Sequence, residues 1–205
     1  MGTLPLELAK REGRKPTWGM ALLYPDQGGW TLEDYLGLDV GRHVEFDRGF
    51  LEFLPMPDNE HQDIVFQFTS ALKAYARGHG GRAAHAPFPM RLWGEKFREP
   101  DALFMRQENL SRCKGRFWEQ ADLVVEVVSS SNKTLDLKTK RAEYARAGIP
   151  EYWIVDPARG SITVLTLPKR RKAYVVHGEF KKGKTASSAL LKGFEVDVSA
   201  ALEAR

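Results

Sequence analysis

Leu123-Val124-Val125-Glu126-Val127-Val128, then Thr134 to Ala147, then Tyr152-Trp153-Ile154-Val155-Asp156 is the stretch that decides the fold. The first segment is a continuous β-branched run, the pattern of a central strand buried on both faces. Ser129-Ser130-Ser131-Asn132 follows as a turn and cap region. The middle segment reads as a helix, closed by Gly148 and Pro150. The last segment reads as a second buried strand. Strand, helix and strand at this spacing form a parallel crossover unit, so the fold class is α/β.

Glu126 does not belong in such a strand on hydrophobic grounds. An unpaired ionised carboxylate there costs several kcal/mol or neutralises itself. Asp101, in Glu99-Pro100-Asp101-Ala102-Leu103-Phe104, poses the same problem. A hard divalent cation held by both acids accounts for the pair, and ordinary buried ion pairs or strand-end residues are the alternative. Lys140 lies on the crossover helix with Asp136 and Tyr144 at i, i+4, i+8, on one face. It can turn toward Glu126, or form a surface pair with Asp136. Two acids, a cation and an amine would suit phosphodiester cleavage. The ion would polarise the phosphoryl oxygen and acidify a water, and the amine would steady developing charge or help deprotonate the water.

Working outward, His43 to Leu54 holds two alternating segments around Asp47-Arg48-Gly49, which reads as a three-residue hairpin loop. Glu45 and Glu52 in this hairpin are candidates for a third acidic position, or solvent-facing strand residues. His61 stands at the start of a long helix marked by Ile64, Val65, Phe68, Leu72 and Tyr75. It could orient a carboxylate, bind the scissile phosphate, or serve only in the cap. Thr31 caps a short helix through Leu36. Strands are expected at Arg82–Pro87, Met90–Trp93 and Asp101–Met105, and a mobile polar loop over residues 106–120. Ile162–Leu167 and Ala173–His177 should pair antiparallel, with a basic turn from Gly178 to Gly183. A last short helix is expected from Val198 to Glu203. Residues 1–30, punctuated by Pro and Gly, read as an irregular arm with a short helix near Leu6 to Arg11. Residues 31–205 read as a single domain.

The 205 residues are 42% hydrophobic and 28% charged, which is ordinary for a globular protein. No apolar run approaches the roughly 20 residues that span a bilayer, and Met1 to Leu6 lacks the long apolar stretch of a secretory signal, so a cytoplasmic protein with no membrane partner is expected. The single cysteine, Cys113, excludes an internal disulfide and a cysteine zinc cage. No dinucleotide-binding glycine motif, phosphate loop or nucleophile elbow occurs. The net charge is +4 and the pI about 9.1. From Lys169 to Lys184 seven Lys or Arg stand against one acid, Glu179, and a second basic cluster runs from Lys133 to Arg146. These are solvated faces or a polyanion groove.

Ala121-Asp122-Leu123-Val124-Val125-Glu126-Val127-Val128-Ser129, the helix residues Asp136, Lys140, Tyr144, Ala145 and Gly148, and Glu151-Tyr152-Trp153-Ile154-Val155-Asp156-Pro157 resemble the Uma-two family. Val44 to Glu52, His61 and Pro100-Asp101 match its pattern in the same order. The resemblance covers about residues 30–170. It implies a restriction-endonuclease-like core of the PD-(D/E)XK type, a mixed sheet flanked by helices, with an N-terminal hairpin and arm. It also implies that Asp101 and Glu126 bind the metal, Mg²⁺ or Mn²⁺. The superfamily's lysine usually stands two residues after the glutamate. That position is Val128 here, and Lys140 matches the family's lysine on the next helix. Ala121 and Ser130 replace frequent prolines. The expected activity is metal-dependent endonucleolytic cleavage of DNA, with a homodimer fitting a cut in both strands. The alternative is an inactive nucleic-acid-binding or regulatory module on the same scaffold. A third reading, an oligomeric interaction protein, would need Trp93, Trp118 or Trp153 exposed.

Overall fold

The structure, a computed structural model, describes residues 25–129 and 135–203, with side chains in the second stretch from residue 137. The expected arm lies outside the described residues as far as residue 24, as do Ser130 to Thr134 and the side chain of Asp136. In chain order the elements are α1 (Leu32–Leu36), β1 (Val44–Asp47), β2 (Phe50–Phe53), α2 (Asn59–His79), β3 (Arg82–His85), β4 (Met90–Trp93), β5 (Lys96–Arg98) and β6 (Ala102–Met105). They continue with β7 (Trp118–Glu119), β8 (Leu123–Val127), α3 (Leu135–Ala147), β9 (Glu151–Asp156), β10 (Ser161–Thr166), β11 (Val175–Lys181), β12 (Thr185–Ser187), β13 (Glu195–Asp197) and α4 (Val198–Leu202).

A six-stranded mixed sheet, ordered β11-β10-β9-β8-β6-β3, forms the centre. Strands β8 and β9 run parallel with α3 as their crossover, as the sequence requires. Because side chains alternate along a strand, β8 supplies both cores. Leu123, Val125 and Val127 face Ile64, Val65, Phe68 and Leu72 of α2 and the apolar side of α4. Val124 faces the opposite way, toward Tyr144 and Ala145 of α3 and Met90 and Leu92 of β4. Glu126 continues that second stripe and therefore points beneath α3. A five-stranded sheet, ordered β2-β1-β5-β4-β7, lies on this side. Its β1 and β5 present Val44, Phe46 and Phe97 to Tyr35 of α1 in a third core, and Glu45, Asp47, Lys96 and Arg98 to the other face.

Several local expectations are corrected. The β1–β2 loop is two residues, not three: Asp47 pairs with Phe50, and Arg48 and Gly49 both take positive φ, 47° and 84°. That is the twist-matched hairpin turn. Gly49 also packs on Gly28, where an added Cβ would meet the Gly28 carbonyl oxygen at 2.5 Å. Residues 106–120 are not a bare loop. They hold a 3₁₀ turn at Gln107–Arg112 and the strand β7, and Trp118 is buried edge-on against Phe88. Gly178 to Lys181 belong to β11, so the turn narrows to the residues about Gly183. The short strands β5, β12 and β13, three residues each, were too brief to read as periodic. Trp153 is also buried, between Phe68 and Phe194. Trp93 lies under the Arg146 guanidinium at 4.2 Å.

One buried acid serves the fold alone. Glu151, fully buried at the start of β9, accepts from Trp153 Nε1 at 2.7 Å, Ser188 Oγ at 2.6 Å, and the backbone N–H groups of Ala189 and Leu190 at 2.8 Å each. Removing it strands four donors, and each buried orphan costs about 1–3 kcal/mol. Glu151→Ala is expected to lower the unfolding free energy by at least about 3 kcal/mol in urea titrations followed by circular dichroism. Glu151→Gln should cost clearly less, because its carbonyl oxygen still accepts.

Candidate active site

Strands β6 and β8 are antiparallel, with Ala102 opposite Val125. Asp101 precedes β6 and so stands opposite Glu126, on the same face of the sheet. The Asp101 Oδ2 atom accepts from the Val127 backbone N–H at 2.7 Å, which pins the carboxylate to the end of β8. Its Oδ1 lies 3.0 Å from His61 Nε2. His61 reaches this point because Asp58 caps α2, accepting from the His61 N–H at 2.9 Å and fixing the first turn. Above Glu126, α3 lays two side chains one turn apart on the carboxylate. Lys140 Nζ donates to Oε2 at 2.8 Å, and the Tyr144 hydroxyl donates a short hydrogen bond to Oε1. Asp101, Glu126, Lys140 and Tyr144 are all buried. The i, i+4 stripe thus turns inward at Lys140 and Tyr144.

The charges press on one another. Burial pushes the Glu126 carboxyl up to about 7; Lys140 opposes the shift and the nearby Asp101 charge adds to it. Tyr144 is raised well above its ordinary value by burial and by the Glu126 and Glu45 charges. Burial disfavours a charged His61, but the hydrogen bond and charge of Asp101 outweigh it and raise its pKa. His43, half-buried just before β1, is lowered by burial; the Asp101 charge opposes this, while His61, Lys140 and His85 reinforce it. The Asp101 charge therefore acts on both the His61 and the His43 imidazoles.

The hairpin glutamates take different places. Glu45 and Glu52 face each other across β1 and β2. The Glu45 side chain is buried in a close ion pair with Arg98, while that of Glu52 is 68% exposed and only 3.5 Å from Arg98 at its nearest. Arg98 also grips Glu143 of α3, Nε to Oε2 at 2.8 Å and Nη2 to Oε1 at 3.1 Å. Lys96 bridges Asp47 at 3.1 Å and Glu143 at 3.3 Å. These bonds clamp the hairpin to the helix that carries Lys140. Sequence reasoning missed Arg98, Glu143 and Glu99. Glu99 is buried two residues before Asp101, accepts from the Val44 N–H at 3.2 Å, and is pushed up to about 7 by burial, with Glu45 adding. The available signal was the alternation Lys96-Phe97-Arg98, a polar and apolar repeat opposite Glu45-Phe46-Asp47.

The donor set fits a small hard cation. Among the described residues each of the four carboxylate oxygens of Asp101 and Glu126 has one hydrogen-bond partner, and a carboxylate oxygen carries a second lone pair. Among the described residues no three His, Cys, Asp or Glu side chains are grouped to hold an ion alone. Magnesium-type sites need only one or two carboxylates, completed by water and phosphate, whereas a structural zinc cage needs four protein ligands.

The titrations have one dominant sign. Glu126, Glu99 and His61 all have folded pKa values above their unfolded ones, so the folded protein holds extra protons. For the two glutamates this stabilisation is complete below about 4.5 and disappears as pH rises through about 7. His43, shifted downward, opposes it only in part. The unfolding free energy from urea titrations should therefore fall between pH 5 and pH 8, by on the order of a few kcal/mol, and the midpoint with it. Glu99→Gln should flatten that slope. A midpoint that rises over this range would contradict the assignment.

The fold and sequence both have relatives. The chain resembles the crystal structure of a putative nuclease belonging to DUF820 from Anabaena variabilis, with a TM-score of 0.67 at 15% identity over 85% of this chain and 98% of that one. At that identity the likeness concerns the fold, a restriction-endonuclease-like mixed sheet flanked by helices. No curated protein matches the chain. Among the described residues no helix is long and apolar enough to cross a membrane. The family described as Uma2, putative restriction endonuclease, matches residues 32–199, which include the hairpin, both acids and the crossover helix; the chain belongs to that family.

Proposed function

We propose that the protein is a metal-dependent endonuclease that hydrolyses phosphodiester bonds in DNA, with Asp101 and Glu126 as the ligands of Mg²⁺ or Mn²⁺. The observation that carries this reading is the meeting of Asp101, Glu126, Lys140 and His61, four residues far apart in sequence, at one end of β6 and β8. When bound, the ion supplies a polarised phosphoryl oxygen and a water of lowered pKa. The chain supplies the rest. The Lys140 ammonium, donating to Glu126 Oε2, would stabilise electrostatically the charge that develops on a bound phosphate. Tyr144 holds the other Glu126 oxygen and fixes its rotamer. His61 orients Asp101, and Glu45 acts at one remove through Arg98 and Glu143. Glu52, exposed beside Arg98, borders the cluster without entering it. Residues 31–205 would act as one domain in the cytoplasm. A homodimer would present two such centres to the two strands.

One observation favours the inactive alternative. Every oxygen of both acids already has a partner within the protein. Such a network can stand without an ion, as a binding module would require.

Nicking of supercoiled plasmid with Mg²⁺ or Mn²⁺ separates the two. Wild type should cut and lose activity in a chelator. Asp101→Ala, Glu126→Ala and Lys140→Ala should each lower the rate by about 100-fold or more, and Tyr144→Phe by about 10-fold. Equal rates in wild type and Asp101→Ala would reject the site. Salt-dependent DNA binding without cleavage by any of them would establish the module instead.

A further inference from the structure

At the far end of the crossover from the acids, the chain encloses an open cavity of about 1280 Å³. Small-molecule sites occupy about 300–1,000 Å³, so this one is large for a metabolite. Its lining includes Arg106, Arg146 and the run Lys169-Arg170-Arg171-Lys172, together with Leu167 and Leu190. Glu151 is the sole acid on the lining, and both its oxygens are turned onto Trp153 and the 188–190 segment. Arg106 is already neutralised by Glu108 at 2.8 Å and Asp122 at 3.4 Å. The other five cations are exposed, and among the described residues none has a carboxylate within ion-pair distance. Five uncompensated positive charges around one concavity focus a field on whatever enters it.

We propose that this groove is a second, non-catalytic site that binds the phosphodiester backbone of nucleic acid. The ligand must be a polyanion, because five exposed cations, four of them consecutive in one loop, share the lining. It must also be elongated, because the cavity is open and larger than a nucleotide pocket. The β10–β11 loop presents its four cations on a tight turn, the Arg171 N–H donating to the Pro168 carbonyl at 3.0 Å. The groove's edge is separated from the acids by the length of β8: Leu123 pairs with Glu151 at that edge, and Glu126 stands three residues along the strand, about 10 Å at 3.3 Å per residue. In naming nucleic acid as the ligand, the inference rests on the nuclease reading, but the binding itself does not require catalysis.

The test measures fluorescence anisotropy of a labelled 20-mer, as duplex and as single strand, between 50 and 250 mM salt. Wild type is compared with the double variant Arg170→Glu/Arg171→Glu and, independently, Lys169→Gln/Lys172→Gln. Hydrolysis of bis(p-nitrophenyl) phosphate, too small to reach from the acids to the groove, is read alongside with Mn²⁺. Each double variant should weaken binding at least 10-fold at 50 mM salt. The slope of log K on log salt should fall by about 2, as expected when two phosphate contacts are lost. Hydrolysis of the small ester should not change. The strand form that loses more affinity identifies the form the groove holds. Unchanged affinity and slope in both variants would overturn the proposal, even with the ester hydrolysed. Loss of affinity and slope with no ester hydrolysis in wild type would sustain it and count against the nuclease reading.

Discussion

A glutamate on the inner face of a buried strand is the constraint around which this molecule is arranged. Glu126 cannot stay ionised in a purely apolar layer, so the layer above it is polar at one point only. Lys140 and Tyr144 provide that point, one helical turn apart, while Ala145 and Ala147 keep the rest of α3 apolar. The helix can then settle against Val124, Leu103 and Tyr152 without burying an unpaired charge. Breaking such a pair from one side typically costs about 3–5 kcal/mol, because the remaining charge stays buried. The same expense holds the carboxylate in one orientation.

Holding α3 in register demands a further set of charges. The helix lies between two sheets, and its outer side meets strand residues that are charged at alternate positions. Arg98 and Lys96 from β5, Glu45 and Asp47 from β1, and Glu143 from α3 form a continuous ionic layer. Its geometry is directional: the Arg98 fork takes both oxygens of Glu143. Apolar packing alone would tolerate a small slide of α3, whereas a fork bond does not. A slide of one residue, about 1.5 Å along the helix, would withdraw Lys140 from Glu126.

The sequence disclosed what depends on neighbours in the chain. The crossover unit, the capped α1 and the length of α2 all followed from local periodicity and caps, and Asp101 and Glu126 stood out because each violated its own local pattern. Features that depend on distant pairing did not show. Nothing beside Arg98 announces that its partners are Glu45 and Glu143, some 50 residues away on either side. Strand β7 is two residues long and exists because Trp118 docks against Met90 and Phe88, so the segment read as a loop. The inward turn of Lys140 onto Glu126, rather than an outward one, is likewise set by the sheet beneath it. Helix spacing alone is the same for both outcomes. Glu45 and Glu52 occupy the same face of one hairpin, and only the layer above separates the buried one from the exposed one.

The place of Lys140 on the helix also has a geometric rationale. A lysine two residues after Glu126 would project from the same face of β8, since alternate residues share a face. Val128 occupies that position instead. But that face is the one α3 covers, and a side chain descending from the helix meets a carboxylate rising from the strand. An ammonium can therefore reach Glu126 from beside it on the strand or from above it on the helix, with the same Coulomb attraction. The second arrangement has a consequence that the first lacks. A lysine on β8 is fixed by the strand that carries the acid, whereas Lys140 keeps its place only while α3 is clamped. The ionic layer of Arg98, Glu45 and Glu143 thus belongs to the requirements of the site as much as to those of the fold.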